Sequence, residues 1–253
     1  TAAEAGGGAW TNLAGGVADV YDTSGGRVAA ARRYPHVSGN KKNSLETAAA
    51  AGTRWLLSVQ NGDGGWPTFC RGWGTMPFDR SSTDLTAHAM RAIRAWQKIA
   101  PSNDQVQPLQ NAIDRGFHYL ERSQSEVGSW SPLWFGNQFH PYEENPVYGT
   151  ARVLLAYRDF GQLQRPSAQR GLSWLAEQIN PDGGWGGGPA LSAVWAQLAP
   201  ASETSTPSRS AASNRLPKVV SSVEETALAV EALLSEPPGD DRRRQSVERG
   251  LTW

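Results

Sequence analysis

One in-frame repeat restricts the fold of this chain more than any other feature. Gly52-x-x-Trp55-Leu56 leads to Gln60, Gly64 and Trp66, and Gly116-x-x-Tyr119-Leu120 leads to Gln124, Gly128 and Trp130. A third passage, Gly171-x-x-Trp174-Leu175, reaches Gly183 and Trp185 in the same frame. It has Ile179 where the others have Gln, with Gln178 one position early. A fourth begins at Gly250 and reaches Trp253, and Trp10 is read as the tail of an earlier copy. Periods of this size mark repeat architectures, in which each unit buries its apolar face only against its neighbours. The residue types suggest a role for the turn. Gln can bond backbone groups left free at a helix end, Gly permits positive φ, and Trp covers a large apolar area while its N–H seeks an acceptor.

A second element alternates with the first. It occurs at Asp22-Thr23-Ser24, Asp84-Leu85-Thr86, Tyr148-Gly149-Thr150 and Glu225-Thr226-Ala227, and in the later copies it opens an Ala/Leu-rich run. Apolar residues three and four apart predict helices in these runs. The same test predicts helices over 43–60, 106–124 and 166–179, which enter the Gln/Trp turns. The expected fold class is all-α: an α/α toroid, or part of an α6/α6-type barrel, made of helical hairpins. The Ala-rich helices would lie on the crowded inside. The 253 residues read as one partial barrel domain with a Pro/Ser-rich insertion at about 199–222. The chain lacks an initial Met and stops within a helical pattern. It is therefore expected to be a fragment with unpaired apolar edges and poor stability in isolation.

Composition excludes several function classes. Lys and Arg total 24 against 24 Asp and Glu, so there is no basic field for a nucleic-acid partner. Cys70 is the only cysteine, which removes a disulfide framework and any multi-cysteine zinc cluster. No apolar run is long enough to span a bilayer. Phosphate-loop, nucleophile-elbow and His-Glu-x-x-His templates are missing from the sequence.

The Gln/Trp turns resemble the QW repeats of squalene–hopene and oxidosqualene cyclases, the class II triterpene cyclases built from α/α-barrel domains. Three further segments fall in the family's order. Asp19-Val20-Tyr21-Asp22-Thr23 sits where the family carries Asp-x-Asp-Asp-Thr. Asp84-Leu85-Thr86-Ala87-His88 resembles Asp-Val-Thr-Ala-His, preceded by Phe69-Cys70. Trp134-Phe135-Gly136 and Tyr148-Gly149-Thr150 resemble the aromatic segment after the next QW turn. The resemblance runs from Trp10 to Trp253 and implies protonation-initiated cyclisation of a polyprenyl hydrocarbon such as squalene, without cofactor. It also implies peripheral contact with the cytoplasmic face of a membrane. By the same resemblance Asp19 and Asp22 are the acids flanking the donor, His88 is the donor's histidine partner, and Asp84 is a supporting acid. Phe69, Trp134 and Tyr148 would face the cavity, because ring faces attract positive charge.

Tyr21 departs from the family at the donor position. A phenol with pKa about 10 replaces a carboxyl group near 3.9, about 8 kcal/mol poorer as an acid. Three readings follow: Asp19 or Asp22 supplies the proton, the chemistry differs, or the barrel is a non-catalytic lipid-binding protein or scaffold. A protein prenyltransferase β subunit shares the fold, but it needs an Asp/Cys/His zinc site, and no Asp-x-Cys motif surrounds Cys70. Without the resemblance, Asp22 and Asp84 read as helix N-caps and His88 as a hydrogen-bonded core residue.

Overall fold

The computed structural model describes residues 6–11, 13, 16–69, 77–97, 99, 106–189, 219–235 and 241–253. Cys70 and residues 199–218 of the expected insertion lie outside them. The described chain is mostly helical, in four hairpins. Their first helices are α1 (Val20–Arg33), α3 (Thr83–Gln97), α5 (Pro146–Asp159) and α7 (Val223–Leu233). Their second helices are α2 (Asn40–Val59), α4 (Val106–Arg122), α6 (Pro166–Glu177) and α8 (Asp241–Thr252). The first helices pack side by side in the order α1–α3–α5–α7, and each second helix backs its own partner from outside. This is an arc of an α/α toroid.

Burial explains the two layers. The first eight residues of α3, Thr83 to Met90, are all buried, as are nine residues of α5 between Tyr148 and Tyr157. The outer helices bury one stripe each, such as Leu109, Ala112, Ile113, Gly116, Phe117 and Leu120 in α4. A helix enclosed on all sides must be apolar all round, whereas one backed on a single side needs only a stripe.

The turn works as a staple. The indole Nε1 of Trp66, Trp130 and Trp185 donates to the carbonyl ten residues earlier, that of Leu56, Leu120 and Leu175, at 2.7–2.8 Å. The backbone N–H of each Trp donates to a threonine of the next inner helix, Thr86, Thr150 and Thr226, at 2.9 Å. Gln60 donates to Gly64 and Ala112, and Gln124 to Gly128 and Ser167, tying each turn to the following outer helix. Where Ile179 replaces the Gln, Arg249 reaches the carbonyls of Asn180 and Pro181 instead.

The first staple corrects the assignment of Trp10, which is 82% exposed. The turn lies at Gly6-Gly7-Gly8. Gly6 has φ 121°, matching 93°, 100° and 102° at Gly64, Gly128 and Gly183. Gly8 N–H donates to Thr23 at 2.8 Å, in the manner of the staple tryptophans. Gly8 therefore occupies the Trp position, and Arg27 fills the space of the missing indole. A Cβ on Gly116, Gly171 or Gly250 would meet the staple indole at 3.2, 2.6 or 2.6 Å, whereas one on Gly52 would meet Arg27 Nη1 at 3.0 Å. Arg27 is buried, which lowers its pKa to about 10, and it donates to Ala49 and Thr53.

Two short antiparallel ladders were not expected from the sequence. β1 (Trp66–Pro67) pairs with β2 (Ser81–Ser82), and β3 (Trp185–Pro189) with β4 (Val219–Ser222). Each joins the strand leaving a staple to the one entering the next inner helix. The last residues of the expected insertion, 219–222, are thus an ordered strand. Helix ends also shift by a few residues: α2 starts at Asn40 rather than Asn43, after Gly39 at φ 56°.

Candidate active site

The staple threonines align the starts of the inner helices. Two residues before them stand Tyr21, Asp84, Tyr148 and Glu224; two residues after stand Gly25, His88, Arg152 and Leu228. The candidate residues named from sequence gather at this end of the arc.

Asp19 caps α1, with Oδ1 accepting from the Asp22 N–H at 2.6 Å. The expected N-cap role of Asp22 thus falls to Asp19, because the extended φ/ψ of a cap occurs at Asp19 and Asp22 is already in the first turn. Asp19 also bridges to Phe69, so the segment after the second staple leans on the start of α1. Burial is the main cause that raises the Asp19 pKa to about 7, and the Asp22 carboxyl adds to it. Asp19 can therefore hold a proton near neutral pH.

Asp84 lies in the first turn of α3, buried, with Ser82 Oγ donating to it. Desolvation raises its pKa, opposed by hydrogen bonds from Ser82 and the backbone and by Arg152. Ser82 also accepts from the Leu133 N–H at 3.0 Å, which fixes the following aromatic segment to the end of β2, just before α3.

His88 is buried and held neutral. Burial lowers its pKa to about 3, helped by the charges of Arg152 and Arg91. Arg152 Nη2 lies 3.1 Å from Nδ1, and the ring also bonds the Tyr21 carbonyl. Both nitrogens are thus engaged, and neither bonds a carboxylate among the described residues.

Aromatic rings cluster around these groups. Tyr21 lies 5.4 Å from His88 and 5.4 Å from Phe135, and Phe135 lies 5.3 Å from Tyr148. Arg152 sits 5.8 Å over the Tyr148 ring, closing the circle. Phe69 and Trp134 join a neighbouring set through Phe78, at 5.1 and 5.0 Å. Tyr148 is buried, whereas Tyr21, Trp134 and Phe135 are exposed by 41, 39 and 38%. Sequence reading missed Arg152, Phe135 and Phe78. Alignment on the staple threonines would have found Arg152, two residues after Thr150.

Among the described residues no group of His, Cys, Asp and Glu is placed to hold a metal, and no helix is long and apolar enough to cross a membrane.

The sequence and the fold are both similar to those of known proteins. The chain is 32% identical over 222 residues to enfumafungin synthase of Hormonema carpetanum, covering 80% of this chain and 14% of that protein. It is 30% identical over 181 residues to a probable squalene–hopene cyclase of Sinorhizobium fredii, covering 66% of this chain and 25% of that protein. The chain thus spans a quarter or less of the length of these two relatives. Among solved structures, the type II terpene cyclase MstE from Scytonema superposes with TM-score 0.58 at 15% identity, covering 94% of this chain and 55% of that one. A variant of that cyclase in complex with its substrate, geranylgeranyl dihydroxybenzoate, gives 0.54 at 15% identity, over 97% and 70% of the chains. The sequence profile described as squalene–hopene cyclase C-terminal domain matches residues 3–253, and the chain belongs to that family.

Proposed function

We propose that this chain is the acid-bearing part of a type II terpene cyclase that acts on a polyprenyl chain. In this reading Asp19 and Asp22 share the initiating proton in place of Tyr21. The Asp19 O–H proton passes to a terminal alkene carbon, leaving a carboxylate on the dyad and a carbocation on the chain. Ring closures follow beside the faces of Tyr21, Phe135 and Tyr148, and loss of a proton from the last cation completes the isomerisation. Phe69 and Trp134 line the same mouth, and Asp84 and His88 support it. The observation that carries the reading is the buried Asp19 beside the half-buried Asp22, the first of which keeps its proton to about pH 7. The experiment incubates full-length protein with squalene and with shorter prenyl chains, and identifies products by mass spectrometry. Cyclised product that is lost in Asp19→Asn is expected. Equal turnover by Asp19→Asn would overturn the dyad.

A second reading, a non-catalytic barrel that binds lipid or serves as a scaffold, is favoured by Tyr21 and by a His88 engaged with Arg152 rather than a carboxylate. No product from any prenyl chain would select it. In both readings the domain is a single partial barrel with an insertion after β3. Its exposed Leu133, Trp134, Phe135, Phe139 and Tyr142 support peripheral membrane contact, which vesicle sedimentation tests.

A further inference from the structure

Arg152 is a cation at the candidate site with no ion pair among the described residues. Between Tyr148 and Tyr157 every residue of α5 is buried except Arg152, which is half-buried at the level of His88 on the neighbouring inner helix. Its contacts with the His88 and Tyr148 rings place its head group within the aromatic cluster of the candidate site. Of the other basic residues on α3 and α5, Arg91 pairs with Asp159 at 2.8 Å and Arg158 with Asp159 and Glu231 at 2.9 and 3.0 Å, while Arg94 lies over the Phe160 ring at the far end of α3. Arg152 has no ion pair among the described residues. It bonds a neutral imidazole and lies over a phenol ring. Asp84 lies within electrostatic reach, but burial favours its protonated form. Glu224, the other carboxylate at this level, belongs to the exposed start of α7.

Elsewhere this wall is aromatic, and an uncompensated charge beside apolar groups is costly. A cation here also disfavours a carbocation formed nearby, since like charges a few ångströms apart repel strongly outside bulk water. An anion on the substrate removes both penalties, and the planar guanidinium can present two parallel N–H groups to it.

We infer that Arg152 binds the anionic head group of a prenyl substrate, so that the chain cyclised is a prenyl diphosphate or carboxylate rather than a pure hydrocarbon. The inference rests on the cyclase reading and narrows its substrate class. Arg152 anchors one end, the chain runs along Tyr148, Phe135 and Tyr21, and the distal alkene reaches the Asp19–Asp22 pair.

Equilibrium binding to the full-length protein tests this without relying on turnover. The probes are farnesyl diphosphate, farnesoic acid and farnesol, which share a chain and differ in head group. Farnesyl diphosphate should bind at least about tenfold more tightly than farnesol. Arg152→Gln should bring the two within about threefold, and Arg152→Lys should keep part of the difference. Farnesoic acid separates the two head groups: a preference equal to that of the diphosphate identifies any anion, and a smaller one identifies the diphosphate. Thermal melting confirms that each variant is folded. The inference falls if the parent binds farnesol and farnesyl diphosphate equally, if it binds neither, or if the preference survives Arg152→Gln. Squalene cyclised equally by parent and Arg152→Gln, without anion preference, would sink this inference and keep the Asp19 dyad. An Arg152-dependent preference without cyclisation of any chain would do the reverse.

Discussion

Where the family motif carries its middle aspartate, Tyr21 presents a phenol whose reference pKa is about six units above that of a carboxylic acid. General acid catalysis is worth roughly 10²–10⁴-fold, so Tyr21→Asp should raise cyclisation by about a hundredfold or more in the full-length protein, read as product formed per minute. An unchanged rate would show that the dyad already supplies the proton unaided. Titration gives a second test with opposite signs at two residues. Folded His88 refuses a proton down to about pH 3, whereas the unfolded chain takes it up near 6.5, so His88 makes the fold less stable as pH falls through that window. Folded Asp19 keeps its proton to about pH 7, whereas the unfolded chain releases it near 3.8, so Asp19 makes the fold less stable as pH rises from about 4 to 7. Chemical denaturation across pH 3–8 should therefore show His88→Gln losing the acid-side slope and Asp19→Asn losing the opposite one. Asp19, Asp22, Asp84 and His88 were legible in the sequence because they lie in short ordered motifs. Arg152 was not, because its meaning comes from α5 packing beside α3, which no local pattern records.

The staple, rather than the helix, is the unit that repeats with fidelity. Its three indole bonds span ten residues each, and its three Trp-to-Thr bonds lock successive inner helices in register. Thr150→Val keeps the volume and leaves the Trp130 N–H buried without a partner, a loss of about 1–3 kcal/mol in a denaturant titration. Gly8 and Arg27 allow a sharper test. Gly8→Trp alone should clash with Arg27, and Arg27→Met alone should leave a gap over Gly52, each costing about 1–3 kcal/mol. Together they rebuild the indole packing of the ordinary staple, though not its bond to the carbonyl ten residues earlier, with the introduced methionine in the role that Met90 plays four residues after Thr86. The double variant should therefore lose clearly less than the sum of the two single losses. Additive losses would disprove the substitution of guanidinium for indole. The hairpins and the Gln bonds could be read from sequence because Gln, Gly and Trp recur in frame. The first staple could not, because it keeps the glycines and lacks the tryptophan that signals them, while Trp10 stands two residues away on the surface.

Across the whole molecule, stability should follow position in the arc. Among the described helices, α3 and α5 each have an inner neighbour on both sides, whereas α1 and α7 each pack on one. On α7 this leaves Val223 76% and Leu234 55% exposed, apolar surface of the kind that neighbouring units cover in a repeat. The two-layer order was legible in the sequence, because Ala-rich runs alternate with striped ones. How far the arc closes was not, since closure depends on small angles between hairpins that no local pattern fixes. Nearest-neighbour coupling makes a definite statement about local opening: amides of α3 and α5 should exchange most slowly, and those of α7 and α8 faster by about tenfold or more. In a longer chain that supplies a further inner helix beside α7, protection of α7 should rise to that of α5 while α3 stays unchanged. Hydrogen exchange on the 253-residue chain and on such a longer chain, read helix by helix, makes the comparison. Uniform protection across all four inner helices of the shorter chain would mean that the arc opens as a single cooperative block and that its edges are not weak points.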